Sequence, residues 1–172
     1  PLMEPEEVAE AFDLLQASGK VRYFGVSNQN PLQMELLSRS LHQSLLVNQL
    51  QFGLGHTGMI DAGIHVNMQD DRSVVHDGGI LEYCRLKGIT IQPWSPFQYG
   101  FFEGVFLDND KFPVLNDCLK KMAAEKGVSP SALAIAWILR HPARMQPIVG
   151  TTNPERLAAI CQASSVTLAR EE

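Results

Sequence analysis

The chain reads as an α/β protein with a parallel sheet, and three observations carry that reading. Four apolar runs each end in a polar or glycine-containing turn and lead into a helical pattern: VRYFGVSN (Val21–Asn28), LLVNQLQF (Leu45–Phe52), GITIQPWSPF (Gly88–Phe97) and MQPIVGTTNP (Met145–Pro154). The runs are apolar almost throughout rather than alternating, as expected of parallel strands buried on both faces. Helical segments separate them, and right-handed crossovers then set consecutive strands side by side. Four such units amount to half of a (β/α)8 TIM barrel, which typically needs roughly 250 residues; this chain has 172. Half a barrel leaves two open sheet edges, so the reading expects the remaining strands from a further segment or a second chain. An open doubly wound sheet is the alternative that needs nothing more. No break in composition divides the chain, so residues 1–172 are expected to form a single domain.

Each element has its own signals. In the first helix Pro5 suits the first helical position, and Glu4, Glu6 and Glu7 favour the positive end of the helix dipole. Val8, Ala11, Phe12 and Leu15 share a face at helical spacing, and Gly19-Lys20 closes the helix. A strand is expected over Val21–Val26. Asn30-Pro31 then opens a second helix with Leu32, Leu36 and Leu37 as its apolar residues, and Leu45–Phe52 is the second strand. Gly53–Gly79 is rich in Gly, Asp and His and has no sustained period, as functional or mobile loops do not. A helix over Gly79–Lys87 and a strand over Gly88–Pro93 follow, then a loop carrying Phe97, Tyr99, Phe101, Phe102 and Phe106. That loop is either an apolar substrate wall or packing. Helices are expected over Pro113–Lys126 and Ser131–Arg140, the latter opened by Ser129-Pro130 and facing the core with Leu133, Ala136, Trp137 and Leu139. Strand Gln146–Val149 leads into a last helix, Pro154–Gln162.

Composition removes several function classes. The net charge is −5, from 14 Lys and Arg against 19 Asp and Glu. No basic stripe appears, which argues against a nucleic-acid partner. No apolar stretch is long enough to span a bilayer, and the acidic start lacks a signal-peptide pattern. Cys84, Cys118 and Cys161 sit singly on predicted helices, so packed free thiols in a reducing cytoplasm are expected rather than a disulfide framework.

In parallel βα architectures ligands bind at the carboxyl ends of the strands, so the strand endings hold the candidate site. In the last ending Gly150 lets the backbone turn or approach a ligand, Asn153 is a good N-cap and Pro154 suits the next position. Free N–H groups and the dipole there favour an anion, and Arg156 adds a forked contact to phosphate. A plain capped helix with a solvated Arg156 is the ordinary alternative. Ser27-Asn28 and Gln49 offer paired donors and acceptors that match a carboxamide such as that of nicotinamide; satisfying nearby backbone is their ordinary alternative. Trp94 ends the third strand with a flat face for an aromatic ring, or as core, and Ser95-Pro96-Phe97 turns the chain.

Taken in order, GVSN, VNQLQF, QPWSPF, SPSALAIAWILRHP and PIVGTTNPERL resemble the aldo-keto reductase family, from Pro1 to about Ser164, and most of all its bacterial oxidoreductases. The resemblance implies a (β/α)8 barrel that binds NADPH, less often NADH, and transfers hydride to the carbonyl of a small-molecule aldehyde or ketone. By it, Ser27, Asn28 and Gln49 match the residues that hold the nicotinamide carboxamide, and Trp94 the aromatic stacked on the nicotinamide ring. Ser95, Pro96 and Phe97 match the segment beside the pyrophosphate. Gly150, Thr151, Thr152 and Arg156 match the loop and helix around the adenosine 2′-phosphate. The chain departs from the best-known pattern at Gly150, where many members carry Lys, and at Ala159-Ile160, where they carry Glu-Asn.

The resemblance also implies a catalytic Asp, Tyr, Lys and His on the first four strands, N-terminal to Pro1, so this chain is expected to supply no catalytic residue. Substitutes are not evident. Tyr83 and Lys87 stand at helical spacing, Tyr23 lies inside a strand, and Tyr99 has no base beside it. The spacing of His56, His65 and His76 matches no strong metal signature, and His42 and His141 flank helix ends. The chain is therefore expected to be a fragment that needs the N-terminal half of the barrel and is inactive alone. A non-catalytic barrel or regulatory subunit that binds nicotinamide cofactor is the rival reading; an unrelated phosphate-binding barrel enzyme is a third.

Overall fold

The computed structural model describes residues 2–101 and 103–172, so Phe102 and Pro1 lie outside the described residues. The chain forms two compact units: residues up to Leu50 together with Gly58–Ile91, and Gln51–Thr57 together with Gln92–Glu172.

In the first unit, α1 (Pro5–Ala17) starts at Pro5 with Glu6 and Glu7 in its first turn and ends at Ser18. Its inner stripe differs from the expected one: Ala9 is buried, Phe12 stacks on Phe24 at 4.3 Å, and Ala11 and Leu15 are exposed. The contact that orients the helix is an aromatic pair formed with a distant strand, which helical spacing alone does not specify. Strand β1 is Phe24–Ser27, shorter than expected because the chain around exposed Tyr23 does not pair. It runs parallel to β2 (Leu45–Gln51), with Val26 opposite Asn48 and Ser27 opposite Gln49. The third strand, β3 (Thr90–Trp94), completes the order β1-β2-β3. Helix α2 (Pro31–Ser38) buries Met34 and Leu37 and leaves Leu32 and Leu36 exposed.

The stretch expected to be irregular contains α3 (Gly58–Ile64) and a single 3-10 turn, Asp71–Ser73. Met59 anchors α3 by its burial, but seven residues are too few to show a period. The Asp70 carboxylate accepts from the N–H groups of Arg72 and Ser73 and so builds the 3-10 turn locally. Helix α4 (Ile80–Lys87) lies between two left-handed glycines, Gly79 and Gly88, and buries Ile80, Leu81 and Cys84.

The second unit packs around Phe106, Leu119, Ala123, Leu133 and Ala134. Phe97 and Tyr99 pack against this cluster, so these rings of the aromatic loop are packing, while Phe101 is exposed. Helix α5 (Pro113–Lys126) is followed by α6 (Pro130–Leu139), where the Ser129 hydroxyl accepts from the Ala132 N–H. Residues Ala132–Ala136 and Ile138 are buried, and Trp137 stacks on Phe52 at 5.4 Å. Leu139, expected in the core, is 38% exposed at the end of the helix. The fourth strand expected over Gln146–Val149 does not form a regular strand. The Ile148 N–H donates to the Pro93 carbonyl at 2.8 Å, but Pro93 has no N–H to give back, and no regular ladder forms. Helix α7 (Pro154–Cys161) closes the unit.

All three cysteines are free; Cys84 is buried as expected, but Cys118 and Cys161 are exposed. Among the described residues no helix is long and apolar enough to cross a membrane.

Candidate functional site

The carboxyl end of β1 and its neighbour on β2 bring Ser27, Asn28 and Gln49 together. The Asn28 N–H donates to the Gln49 carbonyl at 2.9 Å, and the Ser27 hydroxyl donates to the same oxygen at 3.3 Å. Asn28 adopts φ 53°, a left-handed conformation that Asn tolerates better than most residues. Two residues later α2 begins with a capping box: the Asn30 side chain accepts from the Gln33 N–H, and the Gln33 side chain accepts from the Asn30 N–H. The chain therefore passes from strand to helix in a short turn with few free dihedrals.

Asn48, one residue before Gln49, was not singled out by the sequence. It is fully buried, and its Nδ2 donates to the Gln29 carbonyl at 2.8 Å. The available signal was an amide side chain in the middle of an apolar strand, where a buried polar group demands a partner.

In the second unit, β3 ends at Trp94 as expected. Trp94 meets Phe101 edge-on, with centroids 6.1 Å apart and planes at 80°. Ser95 takes φ 47°, and its carbonyl accepts from the Gln98 N–H at 2.9 Å, which produces the sharp turn at Ser95-Pro96-Phe97. Pro96 is buried, and a Cβ on Gly53 would collide with the Pro96 carbonyl, so glycine is required there for the backbones to approach. Phe97 accepts from the Phe106 N–H through its carbonyl at 3.0 Å.

The bond between Ile148 and Pro93 sets the segment before Gly150 beside the end of β3. Gly150 has open space where a side chain would stand. The Asn153 N–H donates to the Thr151 hydroxyl at 3.2 Å, and the Asn153 side chain accepts from the Arg156 N–H at 3.0 Å. Thr152, Asn153 and Arg156 are exposed at the start of α7. An open glycine, first-turn N–H groups and an accessible guanidinium form a surface able to take an anion.

Several other titratable side chains have structural partners; Tyr99, expected to have no base beside it, accepts from Lys111 Nζ at 3.3 Å. Tyr83 donates to Glu35 at 2.8 Å, and Lys87 pairs with the same carboxylate at 2.6 Å. Burial, then Glu35, pushes the Tyr83 hydroxyl up to about 12, so it is a poor acid at neutral pH. The hydrogen bond from Lys87 holds Glu35 below its ordinary range. His42 pairs with Asp13 at 3.0 Å rather than with a helix end, and the His141 ring nitrogen accepts from the Ala143 N–H. His65 pairs with Asp70, lowering that carboxylate, and burial lowers His56.

The sequence model of the Aldo/keto reductase family matches residues 1–172. The 6-dehydroglucose reductase of Agrobacterium fabrum is 34% identical over 99% of this chain and 50% of its own length. The oxidoreductase YcsN of Bacillus subtilis is 37% identical over 100% of this chain and 52% of its own. The chain thus spans about half the length of the curated relatives it matches. Among solved structures, a thermostable aldo-keto reductase in complex with the inhibitor epalrestat superposes with a TM-score of 0.72 at 22% identity, over 99% of this chain and 53% of that one. An aldose reductase from Giardia lamblia superposes with a TM-score of 0.69 at 23% identity, over 99% of this chain and 48% of that one.

Proposed function

Because this chain belongs to the aldo/keto reductase family, we propose that it forms half of a single (β/α)8 barrel that reduces aldehyde or ketone carbonyls with NADPH, NADH being the alternative donor. The cofactor supplies the hydride; the residues of this chain bind and orient it. Ser27, Asn28 and Gln49 take the nicotinamide carboxamide, and Trp94 offers its ring to the nicotinamide. Ser95, Pro96 and Phe97 line the pyrophosphate, and Gly150, Thr151, Thr152 and Arg156 receive the adenosine 2′-phosphate. The group that protonates the carbonyl oxygen is assigned to the other half of the barrel. A soluble cytoplasmic setting is part of the same proposal, supported by three free cysteines.

The observation that carries the reading is the cluster at the end of β1 and β2, where Ser27 and Asn28 both bond the Gln49 carbonyl. A carboxamide presents a donor and an acceptor at fixed separation, and a turn with few free dihedrals can meet both without reorganising. Tyr83 is ill suited to protonate the carbonyl oxygen, since its hydroxyl is pushed up to about 12 and donates to Glu35.

The test uses the protein at its full natural length. NADPH consumption is followed by absorbance with a panel of aldehydes, ketones and 6-dehydroglucose, the sugar in the name of the Agrobacterium fabrum relative. Carbonyl-dependent oxidation of NADPH is expected. Tight NADPH binding with no turnover on any carbonyl would support the non-catalytic reading instead, and failure to bind either dinucleotide would sink both.

A further inference from the structure

We propose that Asn48 is a positioning residue for the cofactor's nicotinamide end: it does not touch the cofactor but fixes the turn that presents Asn28. The inference rests on the reading of Ser27, Asn28 and Gln49 as the carboxamide cluster. Only Asn28 and Gln29 lie between the end of β1 at Ser27 and the N-cap of α2 at Asn30. Both are tied to β2. On one side the Asn28 N–H donates to the Gln49 carbonyl at 2.9 Å. On the other the Gln29 carbonyl accepts from Asn48 Nδ2 at 2.8 Å. The peptide between those two bonds carries the left-handed turn of Asn28, at φ 53°.

A sparsely populated conformation persists only where its surroundings over-determine it. The main-chain bond to Gln49 would survive almost any side chain at that position, because it uses only backbone atoms. The second clamp is different in kind, since it depends on one side chain. Asn48 also suits the task chemically. Its neighbour is a carbonyl oxygen, so the amide atom facing it must be the nitrogen, and the orientation of the group is fixed by chemistry. The side chain is fully shielded from water, and Nδ2 also lies 3.4 Å from the Met34 sulfur. Asp, nearly identical in shape, would set oxygen against oxygen; Leu would leave the Gln29 carbonyl without its donor. Register completes the argument: Val26 stands opposite Asn48 and Ser27 opposite Gln49, so consecutive residues of β2 serve the same turn, one by its side chain and one by its main chain.

The experiment measures binding of two ligands to the full-length protein and to its Asn48→Ala variant. One ligand is NADPH. The other is 2′-phospho-ADP-ribose, the same molecule without its nicotinamide. Loosening the turn is expected to weaken NADPH about tenfold, the consequence of losing one buried hydrogen bond that orients a binding group, and to weaken the truncated ligand less than about twofold. A merely structural Asn48 would lower both affinities equally or neither, and either result overturns the inference while leaving the functional reading intact. If the unaltered protein binds the truncated ligand as tightly as NADPH, the functional reading falls and the inference falls with it. Should Asn48→Ala not accumulate folded, Asn48→Ser is measured with the same ratio as criterion. The double variant Asn28→Gly with Asn48→Ser adds a direct check. Once the Asn28 side chain is gone, the substitution at Asn48 should cost NADPH almost nothing further; an undiminished loss would place Asn48 outside the proposed line of action.

Discussion

The turn before α2 and the turn before α7 both end in Asn-Pro, at Asn30-Pro31 and Asn153-Pro154, and in each the Asn side chain accepts from the N–H three residues on, Gln33 at 2.9 Å and Arg156 at 3.0 Å. Beyond the caps they diverge. The first turn is bonded to a different strand at Ser27, Asn28 and Gln29, through partners 19 to 22 residues away. In the second turn the bonds are local, from Asn153 to Thr151 and from Arg156 to Asn153, beside an open Gly150. Capping is thus a local device that works alike wherever a helix begins, and long-range bonds decide whether the turn is fixed or adaptable. Under the proposed function that division has a use. A carboxamide needs directional partners at set distances, whereas a phosphate is satisfied by charge and by several N–H groups from many angles.

The largest expected difference is in thiol chemistry, between α4 of the first unit and α7 of the second. Cys84 on α4 is fully buried, and burial pushes its thiol from 9.0 up to about 11. At neutral pH that leaves roughly a hundredth of the usual thiolate. Cys161, at the end of α7, is exposed. A thiol reagent should therefore modify Cys161 at least about a hundredfold faster than Cys84. The sign for stability follows from the same value. The neutral thiol is favoured by folding, so its contribution is intact below the unfolded value and declines as pH rises from 9.0 toward about 11. Peptide mapping by mass spectrometry after timed labelling reads the contrast; equal rates would mean that α4 does not keep Cys84 shielded.

Next in size is the side-chain clamp. Asn48→Ala should lower unfolding stability by about 1–3 kcal/mol, because the Gln29 carbonyl loses its donor in a buried setting. Thr151→Ala, which removes the corresponding bond of the other turn at an accessible position, should stay within about 0.5 kcal/mol. Urea unfolding of both variants decides whether distance along the chain separates strong from weak bonds here.

What the sequence made legible follows the same line. Asn30-Pro31, Ser129-Pro130 and Asn153-Pro154 all mark real helix starts, since a cap needs only neighbours within one turn. The strand endings at Ser27 and Trp94 were legible for a related reason: the apolar run stops where the pleated surface stops being covered. What escaped was whatever depended on a remote partner. Phe12 faces inward as expected, but its partner Phe24 and the exposure of Ala11 and Leu15 depend on the distant strand. Pro93 has no N–H to return to the last segment, an effect visible only once the two segments are known to be neighbours. Asn48 sat unremarked inside an apolar run, although a buried amide calls for a partner, here the Gln29 carbonyl. Of the candidate residues, Ser27, Asn28 and Gln49 do share one cluster, and Trp94 and Gly150 stand on segments joined through Pro93 and Ile148.

The caps themselves offer a finer discrimination. Asn30→Ala and Asn153→Ala should each cost about 1 kcal/mol. Asn30→Ala should be the more damaging, because the capping box is reciprocal there and Gln33 loses its constraint as well. Thermal unfolding of the pair measures this. Equal losses would show that the box adds nothing beyond the single bond.

The smallest stability effect and the most informative affinity effect should come from Gly150→Lys. No atom stands within 4 Å of where its Cβ would go, and its φ is not in the left-handed range, so the substitution should move stability by less than about 0.5 kcal/mol. If this turn receives the 2′-phosphate, an added ammonium should tighten NADPH by about five- to tenfold and leave NADH unchanged, with the gain fading as salt rises. The control is Arg156→Ala, which should weaken NADPH and spare NADH. Were Gly150→Lys to tighten both dinucleotides alike, the new charge would be acting through the general field of the protein, and the adaptable turn would lose its claim to the phosphate that distinguishes them.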